Sequence, residues 1–188
     1  MYDVIVVGAG PAGASAAIFL AKAGKKTLMF DNGLSVTRRA LVKNHYGAPN
    51  ITGPDLVETG KAQAKEHGAE IVAADVTDIR RTDDHFTVET DQGVFHARYI
   101  ILATGLYTDM IERIGVRTKP GTEPRIKTIV DVSPEGKTSI PGIWAAGTVA
   151  GVSMHTIITA GDGAKVAINL LSEMAGARHV DHDVYKPA

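Results

Sequence analysis

Cysteine is absent from the 188-residue chain. Disulfides, thiolate metal ligands and every mechanism that uses a thiol are therefore excluded. Basic residues are not in excess either, since the chain has 20 Lys and Arg and 21 Asp and Glu, with a net charge of −1. This balance argues against nucleic acid or an acidic membrane as a partner. The longest apolar stretches are only as long as a strand or are broken by Gly and Lys, so no membrane span is predicted.

The first ten residues, MYDVIVVGAG, lack the basic start and the cleavage site of a signal peptide. Their β-branched run is typical of a strand that is buried on both faces. We therefore expect a cytoplasmic protein. The length suits one domain with a good core, over residues 1–188.

Apolar periodicity and turn residues predict alternating strands and helices along this domain. Buried strands are predicted over 3–7, 27–30, 69–74, 99–103 and 143–146, a further strand over 126–132, and a small antiparallel meander over 76–81, 85–90 and 94–97. Helices are predicted over 12–23, 54–67 and 155–175. Residues 32–52 are predicted as a polar loop, and residues 106–125 as a connection without an element of its own. The pattern indicates an α/β domain with a parallel sheet, helices and an antiparallel β-meander.

A glycine motif, Gly8-x-Gly10-x-x-Gly13, lies between the first strand and the first helix. In the dinucleotide fingerprint the first glycine allows a tight turn, the second lets the backbone approach a pyrophosphate, and the third lets helix and strand pack closely. Asp31 ends the second strand and suits a carboxylate that accepts both ribose hydroxyls, while it would repel a 2′-phosphate. The motif predicts a dinucleotide site but does not choose between NAD and FAD.

Four later segments occur in register after this fingerprint: GPDLVETGKAQAKEHGAEI (53–71), YIILATG (99–105), TSIPGIWAAGTVAG (138–151) and TAGDGAKVAINL (159–170). Together they resemble the thioredoxin reductase family of FAD-dependent pyridine nucleotide-disulfide oxidoreductases. The resemblance covers almost the whole chain. It implies the Rossmann-like, three-layer ββα fold of FAD-binding domains, with FAD segments over about 1–105 and 126–175.

The resemblance implies FAD as the cofactor and indicates where it binds. The strand within TSIPGIWAAGTVAG would end beside the ribityl chain, and the next helix would point its N-terminus at flavin N1 and O2. The implied FAD-binding residues are Gly8, Gly10, Pro11, Ala12, Gly13, Asp31, Asn32, Arg38, Asn44, Val76, Ala103, Thr104, Gly105, Gly147, Thr148, His155 and Thr156. His45 and His155 are the candidates for a proton donor near the ring, with packing, pyrophosphate or backbone roles as the alternatives; the catalytic residues are otherwise unknown.

The chain departs from the family in three respects. Thr148 stands where the family has an Asp that bonds to the ribityl chain, so the side chain there carries no charge. The redox Cys-x-x-Cys of the family is absent. The family inserts a complete NAD(P)H domain after the ATG turn, whereas only residues 106–137 separate Gly105 from Thr138 here, and the chain contains no second fingerprint after a strand.

These features favour an FAD-binding oxidoreductase whose flavin is its only redox centre, reduced by a partner protein or by free NAD(P)H. A non-catalytic flavin-binding subunit or sensor and an NAD-binding Rossmann protein are the alternatives. A homodimer is expected from the resemblance and from apolar surface left by the missing domain. No metal site is predicted, because His179-x-x-His182 lies in a polar tail without a framework to fix its geometry.

Overall fold

A computed structural model describes residues 1–186, so residues 187 and 188 of the predicted domain lie outside it. The strands are β1 (Tyr2–Val7), β2 (Thr27–Phe30), β3 (Leu41–Val42), β4 (Ile51–Thr52), β5 (Glu70–Val72), β6 (Val76–Arg81), β7 (Phe86–Thr90), β8 (Gly93–Leu102), β9 (Thr118–Pro120), β10 (Thr128–Val130) and β11 (Ile143–Ala145). The α-helices are α1 (Pro11–Lys22), α2 (Gly53–Glu66), α3 (Asp109–Arg113) and α4 (Thr156–Ala175), with 3-10 turns over Val36–Arg39 and Thr148–Ala150.

One seven-stranded sheet organises the molecule, in the order β5-β2-β1-β8-β7-β6, with β11 paired to β8. Strands β5, β2, β1, β8 and β11 are parallel, whereas β6, β7 and the first half of β8 form an antiparallel meander. The central parallel strands are largely apolar on both faces because each face is covered, whereas the edge strand β5 begins with the exposed Glu70. The predicted α/β fold with a parallel sheet and a meander is therefore confirmed.

Two hydrophobic cores lie on the two faces of the sheet. On one face, Val6, Met29 and Trp144 pack with apolar residues of α1 and α4. On the other face, the strands pack against the meander and against Ile111 of α3. The molecule therefore has three layers: the helices, the parallel strands, and the meander with α3. Strand β8 connects the last two layers, because its first half pairs with β7 and its second half with β1.

Three sequence predictions of elements need correction. The two strands predicted over 94–97 and 99–103 are one strand, β8, whose first half pairs with β7 and whose second half pairs with β1 and β11. The connection over 106–125 contains α3 and β9, because Ile111 and Val116 are buried and anchor it to the core. The predicted loop over 32–52 contains a 3-10 turn and the short β3–β4 pair.

No helix among residues 1–186 combines the length and the apolar character that crossing a bilayer requires.

Candidate functional site

A cleft of about 260 Å³ opens at the carboxyl ends of β1, β2 and β8. This edge of a parallel sheet is where doubly wound folds bind their ligands. Eight residues that the sequence predicts as cofactor ligands line it: Gly8, Gly10, Asp31, Asn32, Val76, Ala103, Thr104 and Gly105. The cleft therefore brings together the fingerprint turn, the end of β2, the start of the meander and the ATG turn.

A Cβ atom would meet different surroundings at each of the three fingerprint glycines. Gly8 has a φ of +109°, and a Cβ atom there would lie 2.4 Å from the carbonyl oxygen of Ala103. A Cβ on Gly13 would lie 1.8 Å from the carbonyl oxygen of Gly8, so both positions require glycine for packing alone. A Cβ on Gly10 would meet nothing closer than Ser35 Oγ at 3.1 Å. Backbone packing thus demands glycine at 8 and 13, while at 10 the close neighbour is only a side-chain hydroxyl on the wall of the cleft.

The N-terminus of α1 meets the cleft next to Gly10. Gly10 is the N-cap residue, Pro11 follows it, and no side chain within residues 1–186 caps this end of the helix. The backbone N–H groups of the first turn and the helix dipole therefore favour an anion in front of the helix. A pyrophosphate fits this combination of free donors and glycine backbone.

Asp31 is a buried carboxylate on the wall of the cleft, 9% exposed. Its Oδ1 accepts a hydrogen bond from the Gly33 N–H at 2.9 Å. Its Oδ2 lies 2.8 Å from Lys61 Nζ and 3.5 Å from an Nη of Arg38. Burial would raise the pKa of Asp31, but the hydrogen bonds from Lys61 and Gly33, with the two positive charges, bring it below its usual range. The carboxylate is therefore ionised at neutral pH and retains lone pairs for ribose hydroxyls.

The residues predicted near the flavin ring gather beside the first turn of α1. Gly147 approaches the helix so closely that a Cβ there would lie 2.6 Å from the Cβ of Ala12. Thr148 is buried beside it. His45 Nδ1 lies 3.0 Å from Thr156 Oγ1, so the 41–50 loop contacts the start of α4. A second cavity of about 220 Å³ includes Pro11 and His45 and shares Gly10 with the cleft.

Three further predicted site residues, Arg38, His155 and Asn44, do not line the cleft. The guanidinium of Arg38 bridges Asp31 and Glu58, with 2.8 Å to Glu58 Oε1. His155 Nδ1 lies 2.7 Å from Ser153 Oγ on the exposed side of α4. Asn44 is exposed. Arg38 therefore belongs to the group around Asp31, and His155 contributes its backbone to the helix start, as the N-cap residue of α4.

Two residues that the sequence analysis did not name support the site. Lys61 of α2 is paired with Asp31, and this hydrogen bond raises the pKa of the Lys61 ammonium above its usual value. Asp162 of α4 is buried, and its Oδ2 accepts a hydrogen bond from the Gly147 N–H at 2.7 Å. Its other oxygen pairs with Lys165 at 2.6 Å. The one available signal for Asp162 was an acidic residue within the apolar pattern of α4.

Part of the cleft wall, next to the meander, comes from a segment predicted to be a bare connection. Leu106, Tyr107, Met110 and Arg113, in and before α3, all line the cleft. Thr104 Oγ1 donates to the carbonyl oxygen of Tyr107 at 2.6 Å and fixes the turn into α3. Sequence analysis missed this wall because the segment is rich in Gly, Pro and charge.

The family model described as pyridine nucleotide-disulphide oxidoreductase matches residues 2–112 and 50–164. The chain belongs to this family. The two matches of this oxidoreductase family together cover most of the chain, including the cleft, Asp31 and the start of α4.

Among curated relatives, the thioredoxin reductase of Listeria monocytogenes is 38% identical over 108 residues, which is 56% of this chain and 34% of the relative. The thioredoxin reductase of Aquifex aeolicus is 40% identical over 112 residues, again 56% of this chain and 34% of the relative. The aligned part therefore spans about a third of the length of these enzymes.

Solved structures of thioredoxin reductases share the fold. The enzyme from Gloeobacter violaceus superposes with a TM-score of 0.85 at 18% identity, covering 98% of this chain and 99% of that one. A ferredoxin-flavin thioredoxin reductase from Clostridium acetobutylicum gives 0.75 at 20% identity, covering 93% of this chain and 98% of that one. At this identity the likeness concerns the fold alone.

Proposed function

We propose that the chain is an FAD-binding oxidoreductase whose flavin is its only redox centre, and that a partner protein or free NAD(P)H reduces it. Membership of the pyridine nucleotide-disulphide oxidoreductase family supports an oxidoreductase. The absence of cysteine from the sequence supports the flavin as the sole redox group, because the dithiol of such enzymes needs two cysteines.

The observation that carries the proposal is the fingerprint turn. Gly10 exposes its backbone on the wall of the cleft, and the uncapped start of α1 faces the same space. The buried carboxylate of Asp31 lines the same cleft, directly after the neighbouring parallel strand β2. A helix N-terminus for a pyrophosphate, followed by a carboxylate for a ribose, is the order in which a dinucleotide presents these groups.

In this proposal each part of the chain has a defined task. Asp31 accepts the ribose hydroxyls, and α1 holds the pyrophosphate. Gly147 and Thr148 leave backbone surface for the ribityl chain, and the start of α4 directs its dipole towards the pyrimidine edge of the ring. When bound, the flavin supplies the hydride and electron transfer that no side chain of this protein provides.

The source of electrons lies outside the chain in this proposal. No second fingerprint follows a strand in the sequence, and residues 106–137 occupy the position of an inserted NAD(P)H domain. The name of the Clostridium acetobutylicum protein pairs ferredoxin with a flavin, which makes a protein donor a reasonable choice to test.

The first experiment is a visible spectrum of the purified protein, after incubation with FAD and removal of excess. Bands near ~370 and ~450 nm, as expected of an oxidised flavin, support the proposal. A colourless protein that binds NAD instead would overturn it in favour of an NAD-binding Rossmann protein.

The second experiment is stopped-flow reduction of the FAD-loaded protein by NADH and NADPH. Without a nicotinamide site the reaction lacks much of the orientation that contributes up to about 7–11 kcal/mol in the best cases. We expect slow bleaching near ~450 nm that does not saturate, with little preference between the nucleotides, while dithionite reduces the flavin fully. Fast, saturating reduction by one nucleotide would contradict a donor protein and identify a complete NAD(P)H-dependent enzyme.

A further inference from the structure

We infer that α3, within the segment that takes the place of the inserted domain, forms the adenine-binding wall of the nucleotide cleft, with Arg113 as the residue that stacks on the base. This inference rests on the proposed dinucleotide site and adds residues that bind its adenosine end.

The cleft has a chemical direction. Gly10 and the start of α1 mark one end, where the pyrophosphate is proposed to bind, and Asp31 follows for the ribose. After Asp31, the Asn32 side chain donates to Asp75 Oδ1, which places Val76 next to this position, and Met110 and Arg113 line the cleft from α3. The group beyond the ribose of FAD is adenine, a flat aromatic ring that requires two apolar or stacking walls.

A hydrogen bond ties these two walls together. An Nη of Arg113 donates to the backbone carbonyl oxygen of Thr77, the residue after Val76, at 3.3 Å. This bond uses an N–H in the plane of the guanidinium and leaves its two faces available. A guanidinium face stacks well on an aromatic ring.

The charges of the cleft point to the same residue. The charged side chains that line it are the carboxylates of Asp31, Asp75 and Asp109, and the guanidinium of Arg113. Among the described residues that line the cleft, Arg113 is therefore the one cation, and its hydrogen bond to Thr77 places it beside Val76. A guanidinium at this end suits the face of a base rather than a phosphate at the other.

The helix that carries Arg113 is firmly held. Ile111 is fully buried, and Thr108 and Val116 are nearly so. The Thr104 to Tyr107 hydrogen bond fixes the turn before it. Met110 and Arg113 thus face the cleft from a fixed support, and the thioether of Met110 adds a polarisable contact for the ring.

The test is calorimetric titration of the whole chain with AMP, FMN and FAD. Arg113→Ala is the variant, and Arg117→Ala is the matched control, because Arg117 is an exposed arginine close in sequence that pairs with Asp131 and does not line the cleft. We expect Arg113→Ala to weaken AMP and FAD about five- to tenfold, as the loss of a cation–π contact would. FMN, which has no adenine, should bind both variants and the wild type equally.

Equal AMP affinity in the Arg113→Ala variant and the wild type would overturn the inference. Equal losses for AMP and FMN would also overturn it, because Arg113 would then serve a phosphate. A wild-type chain that binds neither AMP nor FAD would reject the proposed function and this inference with it. If the wild type binds FAD and the variant binds it equally well, the adenine wall alone is rejected.

Discussion

Asp31 illustrates how one residue of the site depends on its neighbours. Lys61 and Arg38 offset the cost of burying its charge, and they come from α2 and from the 3-10 turn over 36–39. The folded pKa of Asp31 is depressed, so the stabilisation is complete above the ordinary pKa of an aspartate, about 3.9, and is lost as the pH falls through the lower folded value. The site should therefore keep its charge pattern throughout the neutral range.

Asp31→Ala should weaken FAD binding about ten- to a hundredfold, because a charge-assisted hydrogen bond contributes about 1.5–3 kcal/mol. Fluorescence titration of the apo-protein with FAD measures this. Asp84→Ala, in the exposed turn before His85, is the control and should bind FAD as the wild type does. A variant at 31 that purifies fully loaded with FAD would show that the ribose lies elsewhere.

The hydrogen bond between Asp162 and Gly147 gives a second prediction about a single residue. Asp162→Ala leaves the buried Gly147 N–H without its acceptor, which should lower the free energy of unfolding by about 1–3 kcal/mol. Asp162→Asn retains an acceptor oxygen and should lose less. Lys165→Met removes only the half-exposed partner and should change stability by about 1 kcal/mol or less. Urea unfolding compares the three; equal losses in all of them would mean that the ion pair, not the Gly147 bond, matters.

At the scale of elements, α1 and α4 pack directly against each other. A Cβ atom on Gly163 would lie 2.0 Å from the carbonyl oxygen of Ala12, so the two helices touch through backbone. This contact sets where the start of α4 lies relative to the fingerprint turn. The pairing of Thr156 with His45 adds the 41–50 loop to the same assembly.

Gly163→Ala and Gly161→Ala form a matched pair that tests this contact. Alanine at 163 must push the helices apart, and overpacking of this kind costs about 1–3 kcal/mol. Alanine at 161 meets no atom within 4 Å and should stabilise the helix by up to about 1 kcal/mol. Thermal unfolding should show a lower stability, and FAD titration a weaker affinity, only for Gly163→Ala. If Gly161→Ala lowers the stability as much as Gly163→Ala does, helix α4 packs differently.

Sequence patterns predicted most of these elements because long apolar runs and glycine stops are local signals. Strand β8 was divided because Arg98, an exposed residue within it, interrupts the apolar run, and only the pairing with two different neighbours shows its continuity. Helix α3 was missed because it spans five residues and is stabilised by burial of Ile111 rather than by a helical repeat. Likewise, Lys61 and Asp162 reach the site through contacts distant in sequence, which no local pattern contains.

At the scale of the whole molecule, apolar side chains remain exposed at the start of α4. Met154, Ile157 and Ile158 are 48%, 38% and 45% exposed, and these three residues are close in sequence. Exposed apolar groups of this kind favour contact with another protein surface. Together with the family resemblance, they support the expectation of a two-fold dimer.

We predict a homodimer at micromolar concentration by light scattering. Ile158→Lys should shift the protein towards monomer, because it places a charge on the apolar surface. Val94→Lys, at a 57% exposed position of the meander, should leave the mass unchanged and serves as the control. A wild-type protein that is monomeric under these conditions would refute the dimer, and a dimer that Ile158→Lys leaves intact would move the interface to another face.

The β9–β10 pair has a consequence for how this fold can be altered. The two strands are antiparallel, with Pro120 opposite Thr128, and the Gly121 N–H bonds to the carbonyl oxygen of Lys127 at 2.9 Å. Opposed Cα atoms in such a ladder are only about 4.5–5.5 Å apart. A foreign folded unit whose own ends are close could therefore be spliced between 121 and 127 without disturbing any strand of the large sheet. The tip of this hairpin is a natural grafting point, at which the chain could gain a second module and keep its nucleotide cleft.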